Sequence, residues 1–442
     1  MIDQEILDIF KKALKNSSAD QTELVCESEE FYLTRFAENL IHQNMGRSDS
    51  TIWCRAIFGK RIGVSRSNEP TAEGVVKLIK AAEEIAQNQK EDPDFQSLLS
   101  YPGRSKSSGF YSSIFEYSAG DRADVVSDIV RRAKSDSLSC AGTFQTSATS
   151  LAVVNSLGTE NFARNTEYRF TLTASVKDGL SGWAQAAGRD VEKFDFKTVS
   201  QRALDKASLA GEPVALDPGA YTVILEPDAV ANFLLFLAFL GFGGKLLHQN
   251  RSFMSGKIGE KIMGDNITIT EDPFHPAIEY LPFDYEGVPR QKVTIIENGI
   301  ARAGVYNSYY ANLAGTQSTG HALQPDNSYG PYPKAMVIDP GENNVEDMIS
   351  STDYGIYITR FWYLNFLNPM RTMVTGYTRD GTFLIENGKI TKPVVDMRIQ
   401  QSMLEAFSEV ETLSAEQRLI PQYGALMLVP FMKINNFNLT VA

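Results

Sequence analysis

A chain of 442 residues is long enough for two or three cores, and 43% apolar with 22% charged residues is a globular balance that argues against long disorder. A formal charge of −12 argues against nucleic acid as a partner, because affinity for phosphate backbones rests on clustered Lys and Arg. Cys26, Cys54 and Cys140, odd in number and confined to the first third, make no disulfide framework and predict a reducing cytoplasm.

Taken in chain order, the first 15 residues read as an amphipathic helix, with Ile2, Ile6, Ile9 and Ala13 at helical spacing. Acids at 3, 5 and 8 stand where a secretory signal would be basic, so no leader is expected. TELVCESEEFYLTRFAENLIHQN predicts two or three strands with polar breaks, and STIWCRAIFGKRIGVSRSN a hairpin turning at Phe58-Gly59-Lys60-Arg61. The next segment predicts a helix with Thr71 as N-cap and a stripe of Val75, Leu78, Ile79, Ala82 and Ile85. A Ser/Gly-rich loop at 99–109 precedes a helix near 121–137, whose Arg131-Arg132-Ala133-Lys134 reads as a solvated face among acids. Strands on either side of the turn NSLGTE and a helix in DFKTVSQRALDKASLAG complete this part.

Three prolines around a short strand place a domain boundary near 212–220. The expected organisation is α+β: an N-terminal domain (1–215, divisible into 1–100 and 110–215) of strands and flanking helices, then a strand-rich domain (216–442). Asn298-Gly299 and Asn387-Gly388, each after Ile-Glu, suit two-residue hairpin turns. The most apolar stretch, NFLLFLAFLGFGG (232–244), is too short for a membrane span: about 12 residues at ~1.5 Å each fall well short of ~30 Å of hydrocarbon. It reads as a buried helix, with Gly243 or Gly244 as a left-handed cap.

Residue types alone yield no active site. The histidines, His42, His248, His275 and His321, are scattered, and no Cys follows residue 140 to join them in a zinc site. GLSGW (179–183) lacks the nucleophile-elbow spacing and reads as a turn, and GFGGK (241–245) lacks the Walker spacing. GTQSTGHAL (315–323) is a polar loop that could line a groove or simply face solvent.

Several segments, in order, resemble the TldD/TldE (PmbA) family. They are RFAENLIHQN with CRAIFGKRIGVSRSNE, then DPGAYTVILEPDAV, SFMSGKIGEKI, FDYEGVPRQKVTIIENGI and STDYGIYITRFWYLNFLNPMRTMVTGYTRDGTFLIENGKITKPV, spread over roughly 25–440. The family is linked to zinc peptidase activity and was once described as a modulator of DNA gyrase. Its active TldD subunit carries H-E-x-x-x-H, with a later Cys as third ligand. Two imidazoles and a thiolate would hold zinc, and the glutamate would act as general base. Spacing to Ser255-Gly256 puts the first histidine on Leu235, the glutamate on Phe236 and the second histidine on Leu240. No cysteine occurs in LIPQYGALMLVP, where the third ligand would fall.

The resemblance therefore implies a TldE/PmbA-like chain, a non-catalytic subunit of an intracellular metallopeptidase acting on small or unfolded peptides. No metal is expected on this chain, and zinc is expected only on a TldD-like partner. A stand-alone homodimer that binds peptides without hydrolysis is the alternative. A third reading, different chemistry, would need a polar cluster that the sequence does not reveal. Peptide is expected to pair with an exposed strand. The candidates for its groove are Ser318, Thr319, Gly320 and His321, and the strand Tyr354 to Thr359 with Tyr357. Whether the apolar run 233–242 packs a core or an interface is left open by the sequence.

Overall fold

The computed structural model describes residues 4–101, 109–176, 179–209 and 211–441, so the Ser/Gly-rich loop expected at 99–109 lies mostly outside the described residues. The first half begins with α1 (Gln4–Leu14), β1 (Gln21–Ala37), β2 (Leu40–Phe58) and β3 (Arg61–Ser67). Helices α2 (Ala72–Asn88), α3 (Ser112–Glu116) and α4 (Ala119–Ser135) follow. Strands β4 (Ser139–Asn155), β5 (Glu160–Ser175) and β6 (Ser181–Gly188) and helix α5 (Phe196–Ala207) complete it. The strands form one antiparallel sheet in the order β3-β2-β1-β4-β5-β6.

Period-two alternation decides what each face of this sheet does. Leu24, Cys26, Cys54, Ala152 and Val154 point to one face, where α1 and α2 cover them with Phe10, Val75 and Leu78. Phe144, Phe170 and Leu172 lie under α4 and α5. Helices α1 to α5 all pack on that side, and among the described residues none of them covers the opposite face. Part of it, Val25, Trp53, Leu151, Val153 and Ala163, is covered by Leu281, Phe283 and Tyr285 of the second half. Beyond that patch the same face turns polar.

The hairpin at Gly59-Lys60 forms where predicted. The expected polar breaks around 22–44 are instead exposed positions on two unbroken strands, joined at Glu38 and Asn39 with φ of 50° and 60°. In α2, Val75, Leu78, Ile79 and Ala82 are buried as expected, but Ile85 is 39% exposed and Ala86 is buried in its place. The Thr71 hydroxyl oxygen accepts from the Gly74 amide at 3.1 Å. Thr71→Ala is expected to cost about 1 kcal/mol, read as a lowered midpoint in chemical denaturation, because that amide loses its partner.

The second half starts with β7 (Gly219–Leu225), then α6 (Pro227–Leu237), a π-helical turn (Ala238–Phe242) and α7 (Gly244–His248). Short elements follow: β8 (Ile269–Glu271), β9 (Val293–Glu297), β10 (Ile300–Ala301), α8 (Ser308–Leu313), β11 (Ala335–Ile338) and α9 (Val345–Ser350). Then come β12 (Tyr354–Asn368), β13 (Met373–Glu386), β14 (Lys389–Pro393) and β15 (Arg398–Ser402). Helix α10 (Met403–Ser408), β16 (Val410–Gln422) and β17 (Ala425–Thr440) end the chain. These strands form an eleven-stranded sheet. Because β7 pairs with both β12 and β17, the path β17-β15-β13-β12-β7 closes on itself. Both Asn-Gly hairpins occur, with φ of 49° and 75° at Asn298 and Gly299, and 51° and 73° at Asn387 and Gly388. The fold is α+β.

Helix α6 is threaded through the main core. Val230, Phe233, Leu234 and Leu237 are fully buried, and Phe233 packs against both Phe361 (5.0 Å) and Phe437 (6.0 Å), which lie 6.1 Å from each other. Among the described residues no helix is long and apolar enough to cross a membrane. The expected left-handed glycine cap does not form, since Gly243 has φ −88° and Gly244 opens α7. Close packing explains these glycines better. A Cβ on Gly244 would lie 2.4 Å from the Tyr306 ring, and one on Gly243 2.5 Å from the Pro331 carbonyl oxygen.

Candidate functional site

A cleft of about 670 Å³ opens where the helix-free face of β5 and β6 meets α6, the β12–β13 ribbon and the β16–β17 turn. Helix α6 contributes Asp228, Asn232, Leu235 and Phe236, and the π-turn adds Phe239. Strand β12 contributes Arg360 to Phe366, and the turn brings Pro421, Gln422 and Tyr423. From the sheet come Thr171, Trp183 and Gln185.

Nine of the nineteen lining residues are aromatic. Phe236 meets Phe366 at 4.6 Å between ring centroids, and Phe239 meets Tyr329 at 5.9 Å. The Arg360 guanidinium sits 3.9 Å above the Trp183 ring and 5.6 Å from Trp362, held by a 2.8 Å bond from its Nε to Asp380. Ser181, read from sequence as part of a turn, begins β6 and donates to the same carboxylate at 2.7 Å. A planar cation between two indoles makes a flat, stiff wall.

One acid is set into this wall. Asp228, 5% exposed, accepts from Trp183 Nε1 at 2.8 Å and from Gln185 Nε2 at 2.7 Å, both on Oδ1. Burial, then the neighbouring Glu226 charge, pushes its carboxyl above the ordinary range. Behind it, Glu226 is 2% exposed and meets Lys206 Nζ at 2.5 Å and Arg418 Nη1 at 3.3 Å. Burial would push Glu226 up, but the two cations outweigh it and hold it below the usual carboxylate range. Neither Asp228 nor Arg360 was legible as a site residue from sequence. The only signal was an acid flanked by apolar residues in LEPDAV.

The positions where the family's zinc motif would fall lie at this cleft, but not all of them face it. Leu235 is 1% exposed, packed in the core with one side on the cleft, and Phe236 is half-buried on its wall. Leu240 packs against the main core and does not line the cleft. The apolar run is thus core on one side and cleft wall on the other. None of these three side chains has a lone pair to offer a metal. Among the described residues no three His, Cys, Asp or Glu side chains are placed to hold an ion. The residues present do not fit zinc. Nor does the lining contain a His, Cys, Ser or Lys that would pair a nucleophile with a base.

The groove candidates lie elsewhere, and the structure corrects them. His321 is fully buried, with Nε2 3.3 Å from Glu271 Oε1 and Nδ1 2.9 Å from Thr319 Oγ1. Burial pulls the imidazole below its ordinary pKa. Ser318 is 7% exposed, and Thr319 Oγ1 accepts from the Tyr306 amide at 2.7 Å. Gly320 has φ 73°, and a Cβ there would lie 2.4 Å from the Pro289 carbonyl oxygen. Residues 318–322 therefore form a largely buried strut, whose hydroxyls satisfy backbone groups rather than face a groove, while Gly315 to Gln317 are exposed. Tyr357 is also buried, hydrogen-bonded to Glu226. Its strand offers no free edge at 356–358, because Ile356 to Ile358 pair with β7 on one side and Tyr354 to Ile358 with β13 on the other.

Comparison with known proteins agrees with this geometry. Residues 218–441 match the family model described as PmbA/TldA metallopeptidase C-terminal domain, and 22–86 match PmbA/TldA metallopeptidase domain 1. A curated relative, a metalloprotease TldD homolog of Buchnera aphidicola, is 28% identical, over 58% of this chain and 50% of the relative. Metalloprotease PmbA of Escherichia coli O157:H7 is 28% identical over 50% and 48%. An uncharacterized protein of Methanocaldococcus jannaschii is 28% identical over 60% and 62%, so the chain spans about half to two thirds of the length of these relatives. In fold, the crystal structure of TldE from Thermococcus kodakarensis superposes with a TM-score of 0.89 at 24% identity, covering 99% of both chains. A Thermotoga maritima structure described as a candidate modulator of a DNA gyrase gives 0.87 at 18% identity, covering 99% and 100%. Likenesses at these identities speak to the fold alone. The family model spans the half of the chain that builds α6 and most of the cleft: the chain belongs to the TldD/PmbA family of metallopeptidase-related proteins.

Proposed function

We propose that this chain is a non-hydrolytic subunit of a TldD/TldE-type zinc metallopeptidase, holding peptide in the aromatic cleft while a homologous TldD-like chain carries the metal. The observation that carries this reading is the apolar wall at Leu235 and Phe236, in a cleft that is otherwise well formed. A cavity with flat aromatic walls and polar groups such as Asn232, Asn365 and Gln422 among them suits peptide side chains of many shapes. Beyond Ile358 the strand β12 pairs only with β13 among the described residues, so the free edge at 360–368 is where extended peptide would add.

An exposed apolar tip supports a protein partner. Trp362, Tyr363, Phe366, Leu367 and Met370 of the ribbon are 40% to 81% exposed. A contiguous patch of this kind is unusual on a monomer. Affinity capture of the tagged chain from its own cells, with intact-complex mass spectrometry, tests the proposal. The expected result is a one-to-one complex with a chain bearing H-E-x-x-x-H and one zinc per pair. A zinc-free homodimer without such a chain would replace it with a stand-alone binding protein.

A further inference from the structure

A second cleft, of about 340 Å³, lies beside the aromatic one on the same open sheet face. Strand β5 runs through both, with Asn165, Glu167 and Arg169 in the second and Thr171 in the first. The β16–β17 turn stands between them, placing Tyr423 in the aromatic cleft and Gly424 in its neighbour. Their chemistry differs sharply. The second cleft is walled by charged and hydroxylated side chains, including Lys334 and Arg189.

The acids in this cleft already have partners. Glu167 serves both Arg169 and Arg189, Glu29 bonds Arg47, and Glu27 accepts from the Tyr285 hydroxyl at 2.8 Å. Three acids face three cations, Arg169, Arg189 and Lys334, yet donor capacity is left over. Arg189 is 5% exposed and bonds the Ile278 carbonyl at 2.7 Å, but its Nη2 is buried without a hydrogen-bond partner. Lys334 lies 5.5 Å from the Tyr332 ring centroid and has no ion pair among the described residues. Behind the wall, Arg290 sits 5.1 Å over the Tyr280 ring with Nε and Nη1 unpartnered, and Arg189 reaches the same ring at 5.7 Å. Burial pulls Lys334 below its ordinary pKa, and the Arg290 charge adds to that. A half-buried ammonium without an ion pair and a buried guanidinium N–H without an acceptor are costly unless an anion joins them.

We propose that this cleft binds the C-terminal carboxylate of a short peptide, with Lys334 as its counter-ion and Arg189 as the adjoining donor. The proposal rests on the peptide reading above and adds a direction and a length to it. At ~3.3 Å per residue, the four steps from Glu167 to Thr171 span about 13 Å, so roughly four extended residues would bridge the clefts. A free carboxylate supplies the charge and two acceptor oxygens, and an amidated terminus does not.

Isothermal titration with the tetrapeptide Ala-Phe-Leu-Ala, as free acid and as C-terminal amide, is the test. The free acid is expected to bind at least tenfold more tightly to the unaltered chain. That preference is expected to vanish in Lys334→Met, which keeps the aliphatic stem, while affinity for the amide stays the same. Equal affinity of acid and amide would overturn the carboxylate site and leave the peptide reading standing. If neither peptide binds, the peptide reading fails, and N-acetylalanine alone decides the site. Binding of that probe lost in Lys334→Met upholds a carboxylate site, and no binding overturns it.

Discussion

Glu226→Gln is expected to cost about 3–5 kcal/mol of stability, because it leaves Lys206 in the interior without its ion pair and Arg418 with only the exposed Glu416. Glu226 is 2% exposed and is the N-cap residue of α6, its amide bonding Ile358 in β12. Lys206 reaches it from α5 at 2.5 Å and Arg418 from β16 at 3.3 Å, so one carboxylate ties the first half of the chain to the second. Burial pulls the Lys206 pKa down, opposite to what the pair alone would do. The company of Arg418 and the short contact are the reasons to hold Glu226 ionised. Its folded pKa lies below the unfolded one, so its stabilisation is present above the ordinary Glu pKa of ~4.3 and is lost as pH falls toward the folded value. Denaturant titrations should therefore show the variant and the parent converging at acid pH and parting above about pH 5. A loss below 1 kcal/mol at neutral pH would mean that water reaches the cluster and screens it.

Leu235→His carries the second large effect. It places an imidazole where the resemblance puts a zinc ligand, at a site only 1% exposed. The change gives up about 2 kcal/mol of apolar burial and buries a ring N–H without a partner, for about 3–5 kcal/mol in all. Equimolar zinc is expected to restore none of it, because Phe236 offers no donor and Leu240 does not line the cleft. Denaturation midpoints with and without zinc decide this. A zinc-dependent rise would reveal ligands that the described residues do not show.

Patterns local in sequence were the legible ones. The Thr71 cap, the turn at Gly59-Lys60 and both Asn-Gly hairpins need only a few neighbouring residues, and all formed. Exposure of a loop cannot be read that way. GTQSTGHAL looks solvated by composition, yet Thr319 and Ser318 spend their hydroxyls on backbone groups of 306 and 320, which lets residues 318–322 be largely buried while Gly315 to Gln317 stay exposed. Strand 354–359 read correctly as a strand, but its neighbours β7 and β13 come from far apart in the chain, so its lack of a free edge at 356–358 could not be seen. Asp228, Trp183 and Arg360 converge from α6, β6 and β12, and no spacing rule links residues that distant. The resemblance located the apolar motif positions. The fold then placed two of them, Leu235 and Phe236, on the wall of a cleft.

The closed path of strands in the second half also sets an order of events during synthesis. Its closing pair joins β7 to β17, with Leu225 opposite Met432 and Gly219 opposite Leu439. Contacts that far apart in sequence form late, because the intervening loop must close first. The six-stranded sheet is complete by Gly188 and can assemble while the ribosome is still translating the rest. The cleft has no such early form, since Pro421, Gln422 and Tyr423 are translated long after that sheet. Its walls therefore meet only after both halves have left the ribosome.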